Sequence, residues 1–225
     1  MLVQVEESLK AMKEKQVAAK ETTTKLDLEV RQKGGRWNQP LRRQAKTLYT
    51  SQEEVRKICD ETLEALKTGN YGGFTRNMEL IQKLLLEIQG RLDGAEPDVG
   101  EGTQLDQGEV IDKIDRMLKA VEGERKRLAE QRQRKQQQQQ QNGEQGQPPP
   151  TPLVSKLAEM ELVYEEQKAL GEKIRNLSEK TKGFNRDELP DYYKRLYERY
   201  SAEQAALKKT WDDLRKQIPG APPEE

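Results

Sequence analysis

Histidine is absent from this 225-residue sequence, which removes the commonest general base, the commonest zinc ligand and the usual switch near neutral pH. Cysteine occurs once, at Cys59, so no disulfide can form within the chain and a small secreted scaffold held by bridges is excluded. Ser-His-Asp triads and Cys-His couples cannot be assembled from this chain alone. Aromatic residues make up 5% and hydrophobic residues 32% of the sequence, against roughly 45–50% apolar in a typical globular protein, which leaves little material for a thick core. Neither charge is in excess: 40 Lys and Arg balance 40 Asp and Glu, so no global field draws the chain to nucleic acid or anionic lipid. Long hydrophobic runs are lacking too. The strongest, 84–86, is far short of the roughly 20 residues a membrane-crossing helix needs. The first ten residues show no basic segment leading into an apolar core, which predicts no secretory signal and an intracellular protein of cytoplasm or nucleus. Phosphate-loop, GxGxxG, CxxC and HExxH patterns are missing as well; no catalytic residue, cofactor site or metal site is expected, and the chain reads as a non-enzyme.

What the sequence does contain is helical periodicity. Leu2, Val5, Leu9, Met12, Ala19, Leu26 and Val30 recur at alternating three- and four-residue steps, the seam of a coiled coil or bundle. Gln16 and Thr23 occupy seam positions between them, and polar residues at such places can select register or partner at a cost in stability. Gly34 and Gly35 end this first helix, predicted over about 2–32. Trp37 follows and is expected to plug a bundle end, while Pro40 suits the first turn of a second helix over about 40–67. Its inner residues are Leu41, Ala45, Leu48, Val55, Ile58, Cys59, Leu63 and Leu66, with Ser51 and Glu54 at capping-box spacing that predicts a kink or fresh start near Thr50. Cys59 reads as a small packed residue. A third helix, about 74–92, carries Phe74, Met78, Ile81, Leu85, Ile88 and Leu92. Leu84 and Leu86 widen its apolar face enough to meet two neighbours.

Residues 93–109 read as a loop rich in glycine and acids. A calcium loop fails, because counting from Asp93 the third, fifth and sixth places hold Ala95, Pro97 and Asp98 rather than two oxygen ligands and a glycine. A fourth helix is expected over about 109–134, acidic at its start and basic at its end, which complements the helix dipole. Its basic end groups Arg125, Lys126, Arg127, Arg132, Arg134 and Lys135, a candidate contact for nucleic acid or the nuclear-import machinery.

Residues 136–152, a glutamine run followed by a proline-rich stretch, are expected to form a disordered linker. The polyglutamine tract favours a eukaryotic source. Beyond it the pattern predicts an antiparallel helical hairpin over 153–218 and a disordered tail over 219–225. Thr151 and Pro152 suit the start of the fifth helix, with Leu153, Leu157, Met160, Tyr164, Ile174 and Leu177 facing inward. The sixth helix begins near Pro190 and places Tyr193, Tyr197, Tyr200, Leu207, Trp211, Leu214 and Ile218 along one face. A two-helix hairpin is too thin to bury all of these, and tyrosine and tryptophan dominate binding hot spots.

The resulting expectation is an all-α protein of about six helices: an elongated bundle or coiled coil over 1–135, the linker, and the hairpin. Its expected role is a non-enzymatic coiled-coil scaffold subunit that assembles, as a hetero- or homo-oligomer, with other helical proteins in a eukaryotic complex. Tyr193, Tyr197, Tyr200 and Trp211, then Leu2, Val5, Leu9 and Met12, are the candidate partner contacts. The alternative is an RNA- or chromatin-associated protein that uses the basic segment 125–135.

Overall fold

A computed structural model describes residues 2–69, 71–139, 155–185 and 187–217. Among the described residues the chain forms six α-helices and no strand. It divides into two compact units, Met1–Val154 and Ser155–Glu225.

In the first unit α1 (Leu2–Gln32), α2 (Gln39–Thr68), α3 (Gly72–Leu92) and α4 (Glu101–Gln139) pack in a closed ring. α1 and α3 each lie against both α2 and α4. The turn after α1 needs its glycines. Gly34 and Gly35 adopt φ of 64° and 79°, a left-handed conformation that costs other residues about 1–2 kcal/mol, and the Gly35 amide donates to the Val30 carbonyl at 2.9 Å. α2 starts as its sequence dictates: the Asn38 side chain accepts the Leu41 amide, and Pro40 sits in the first turn, where its missing N–H is not needed. α2 runs unbroken through Thr50, so no fresh start occurs there. Trp37, expected to plug an end, is only half-buried.

The start of α4 corrects the expected loop. The helix begins at Glu101 instead of near 109 because the segment before it is capped: the Asp98 carboxylate accepts the Gly100 amide at 2.9 Å, and the Thr103 hydroxyl donates to the Asp98 carbonyl at 2.7 Å. Four glycines in 93–109 had disguised this. At its other end α4 continues to Gln139, into the stretch assigned to the linker; glutamine is a good helix former, so nothing in the run stops the helix. The remainder of the expected linker, 140–152, and the expected tail lie outside the described residues.

α3 supplies the centre of this unit. Phe74, Met78, Ile81, Leu85 and Ile88 have no exposed surface, and Leu84 is buried, whereas Leu86 points outward at 50% exposure. Each fully buried side chain of this size contributes about 1.5–3 kcal/mol relative to exposure. Cys59 is packed against α3, its thiol 3.3 Å from the Met78 sulfur. Burial, reinforced by Asp60, pushes the thiol pKa up to about 12, with Arg56 opposing.

Two of the acids of 93–115 are fasteners. Arg91 meets Asp106 at 2.8 Å, and Lys13 meets Asp115 at 2.7 Å. Lys15 of α1 meets Glu54 of α2 at 2.6 Å.

The second unit consists of α5 (Lys156–Lys180) packed on α6 (Asp191–Lys216). Ser155, not Thr151, caps α5, its hydroxyl accepting the Ala158 amide at 3.2 Å. Thr151, Pro152 and Leu153 fall outside the described residues, as does Ile218. The core joins Val163, Leu170 and Leu177 of α5 to Tyr200, Leu207 and Leu214 of α6, with Met160, Ile174, Tyr193, Leu196 and Trp211 partly buried against it. Leu157 and Tyr164, expected inside, are 55% and 62% exposed. The seam of α5 runs one residue earlier, through Val163 and Leu170, since Gly171 offers no side chain with which to continue the row through 157 and 164.

Candidate interaction surface

α6 carries the aromatic residues singled out from the sequence and sorts them by depth. Tyr200 is buried in the core with Leu207 and Leu214, and Arg199 lies 5.6 Å from the centre of its ring, a distance at which a guanidinium is attracted to the π-face. Tyr193 and Trp211 are half-buried, each with one side on the core. The Tyr192 ring stands beside Tyr193, centroids 5.5 Å apart and tilted by 58°, within the range of favourable edge-to-face pairs. Tyr197 is 37% exposed. Its hydroxyl is nevertheless fixed, sharing a 2.7 Å hydrogen bond with Thr181 at the end of α5.

Open grooves border both ends of this helix face. One, of about 910 Å³, is lined by Phe184, Leu189, Lys194 and Tyr197 near the turn between α5 and α6. Phe184 is 49% exposed there. The second, of about 470 Å³, lies beside Trp211 and includes Gln167, Ala205, Leu207 and Lys208. The face thus offers ring surface at two places roughly 21 Å apart along the helix, at about 1.5 Å per residue between Tyr197 and Trp211.

The other candidate contacts sit differently. Val5, Leu9 and Met12 are buried in the first unit, closed in by α2 and α4; the Leu2 side chain lies outside the described residues. Of the basic group, Arg125 is already bound to Glu6 at 2.5 Å and Arg127 lies 3.7 Å from Glu124. Lys126 is exposed. The side chains of Arg132, Arg134 and Lys135 are outside the described residues.

Glu6 is a buried carboxylate held by two cations. It accepts hydrogen bonds from Lys10 and Arg125, both at 2.5 Å. These bonds hold its pKa below the ordinary carboxylate value, against the opposing effect of burial. Among the described residues no three His, Cys, Asp or Glu side chains converge as metal ligands would, and no helix is long and apolar enough to cross a membrane.

Sequence reasoning marked Gln16 but overlooked three other interior glutamines. Gln52, Gln89 and Gln107 are buried like Gln16; Gln52 and Gln89 interrupt otherwise apolar helix faces, whereas Gln107 lies among buried Thr103, Asp106 and Val110. For Gln52 and Gln89 that interruption was the available signal. No protein-family model matches the chain, and neither a curated protein nor a solved structure matches it.

Proposed function

We propose that this chain is a non-enzymatic helical scaffold subunit that assembles with other helical proteins in an intracellular eukaryotic complex. In this reading α5 and α6 act as an antiparallel hairpin, and their aromatic face is the docking surface. One observation carries the reading: Tyr193, Tyr197 and Trp211 are only partly covered by α5, although large aromatic side chains stabilise an interface most when fully desolvated. The grooves beside Tyr197 and Trp211 fit the apolar anchors of an amphipathic helix laid along α6. The apolar residues of α1 serve the bundle itself in this account, so the contact is assigned to the carboxy-terminal unit.

Replacing Tyr197 and Trp211 together by alanine in the full chain tests this. Partner capture is expected to fall at least tenfold while the far-ultraviolet circular dichroism stays helical; undiminished capture would remove the α6 face from the account.

The alternative, an RNA- or chromatin-associated protein, rests on the basic segment 125–135, where Lys126 is exposed. Affinity governed by phosphate contacts falls steeply with salt, whereas docking through Tyr197 and Trp211 depends on salt only weakly. The engagement of Arg125 by Glu6 makes this the weaker proposal.

A further inference from the structure

Among the described side chains each helix of the first unit turns one glutamine into the interior. Gln16 of α1, Gln52 of α2, Gln89 of α3 and Gln107 of α4 are 0%, 0%, 6% and 0% exposed. Ion pairs place them along the bundle. The Lys15–Glu54 pair fixes α1 against α2 within a turn of Gln16 and Gln52, and the Arg91–Asp106 pair fixes α3 against α4 within a turn of Gln89 and Gln107. Gln107 donates through Nε2 to the buried Thr23 hydroxyl of α1 at 2.9 Å, which ties the second level to the seam of α1 two turns beyond Gln16. Both amide atoms of Gln16 and of Gln52, Nε2 of Gln89 and Oε1 of Gln107 are buried without a hydrogen-bond partner.

Such groups are costly, because an amide that leaves water unpaired forfeits its hydration. Leucine would fill each position without that penalty. What the glutamines add is discrimination. The apolar residues of α1 repeat so regularly that sliding the helix by seven residues preserves their spacing, and the same holds for a helix borrowed from a second copy. A shift would bring either Leu9 or Thr23 to the level of Gln52 and would separate Thr23 from Gln107. Only the native alignment sets Gln16 near the level of Gln52 and at the same time Thr23 against Gln107.

We infer that this glutamine belt is the register device of the first unit: it makes one alignment of the four helices, all from one chain, preferable to slid or intermolecular ones, and it does so at the expense of stability. A polar side chain buried in a helical seam acts in this way where it has been isolated. The inference needs none of the partner contacts of α6, so it stands or falls separately from the proposed function.

The test uses the full chain carrying Gln16→Leu and Gln52→Leu together. Its melting temperature is expected to rise by several degrees, while light scattering shows more than one mass or the amide spectrum shows doubled resonances for α1 and α2. Leu26→Met, an interior change that conserves volume, is expected to keep a single species. One mass and one set of resonances in the double variant would overturn the proposal whatever its melting temperature. Should the leucine pair fail to fold, Gln16→Met with Gln52→Met keeps the unbranched shape and is read the same way.

Discussion

Tyr197 of α6 and Thr181 at the end of α5 share a hydrogen bond of 2.7 Å between side chains that otherwise belong to different environments, Thr181 buried and Tyr197 more than a third exposed. The bond fixes the hydroxyl end of the phenol ring, which lines the same open groove as Phe184. A ring held in place loses less entropy on docking than a free one. Tyr197→Phe separates orientation from bulk. It is expected to cost the second unit about 0.5–1 kcal/mol, as for one partly exposed hydrogen bond, and to weaken partner binding less than Tyr197→Ala. Equal losses for Phe and Ala would show that the hydroxyl, not the ring, makes the contact.

Tyr200, only three residues further on, is expected to behave differently. It belongs to the core with Leu207 and Leu214, so Tyr200→Ala should destabilise the second unit by about 3 kcal/mol through the cavity it leaves. Chemical denaturation followed by tyrosine fluorescence measures this. A loss below about 1 kcal/mol would mean that the ring is not packed as described.

The pH response of the first unit should trace in part to Glu6. Hydrogen bonds from Lys10 and Arg125 lower its folded pKa below the ordinary value. A carboxylate with a depressed folded pKa stabilises the fold above its unfolded pKa, and that contribution disappears as pH falls through the folded value. The native protein should therefore lose melting temperature on acidification below about pH 4.5, and Glu6→Gln should lose less over the same range. Identical pH profiles for the two proteins would rule out this contribution.

Cys59 offers a probe of core integrity. With its pKa raised to about 12 by burial, the thiol is protonated and covered at neutral pH, and thiolate is the reactive form. Ellman's reagent is expected to react with the folded protein only at the rate of unfolding and with the denatured protein at once. Immediate reaction of the folded protein would contradict the packing of α2 on α3.

Much of this architecture was legible in the sequence because helices bury one face at a period of 3.6 residues. The rows from Val5 to Val30 and from Phe74 to Leu92 name their own buried residues, and Asn38, Pro40 and paired glycines mark helix ends by local chemistry alone. Tertiary contacts decided the rest. The start of α4 depends on Asp98 and Thr103 capping a segment whose glycines read as loop. On α5 two rows of apolar residues lie one position apart, and packing against Leu207 and Leu214 selects Val163 and Leu170 over Leu157 and Tyr164. Gln52, Gln89 and Gln107 escaped notice for a related reason: an amide's burial is fixed by the helices packed on either side of it, not by its own. At the candidate site the sequence located the aromatic helix face but not its sorting into buried Tyr200 and exposed Tyr197, which depends on where α5 ends.

Whether the chain works as a docking subunit is measured most directly by photo-cross-linking in source cells, with benzoylphenylalanine in place of Tyr197 and, as a buried control, in place of Leu207. The account predicts that the Tyr197 probe joins the 26.0 kDa chain to a specific helical protein, that Trp211→Ala weakens the cross-link, and that the Leu207 probe gives none to another chain. Recovery of the Tyr197 probe solely as an uncross-linked 26.0 kDa species, with the second unit folded, would contradict it.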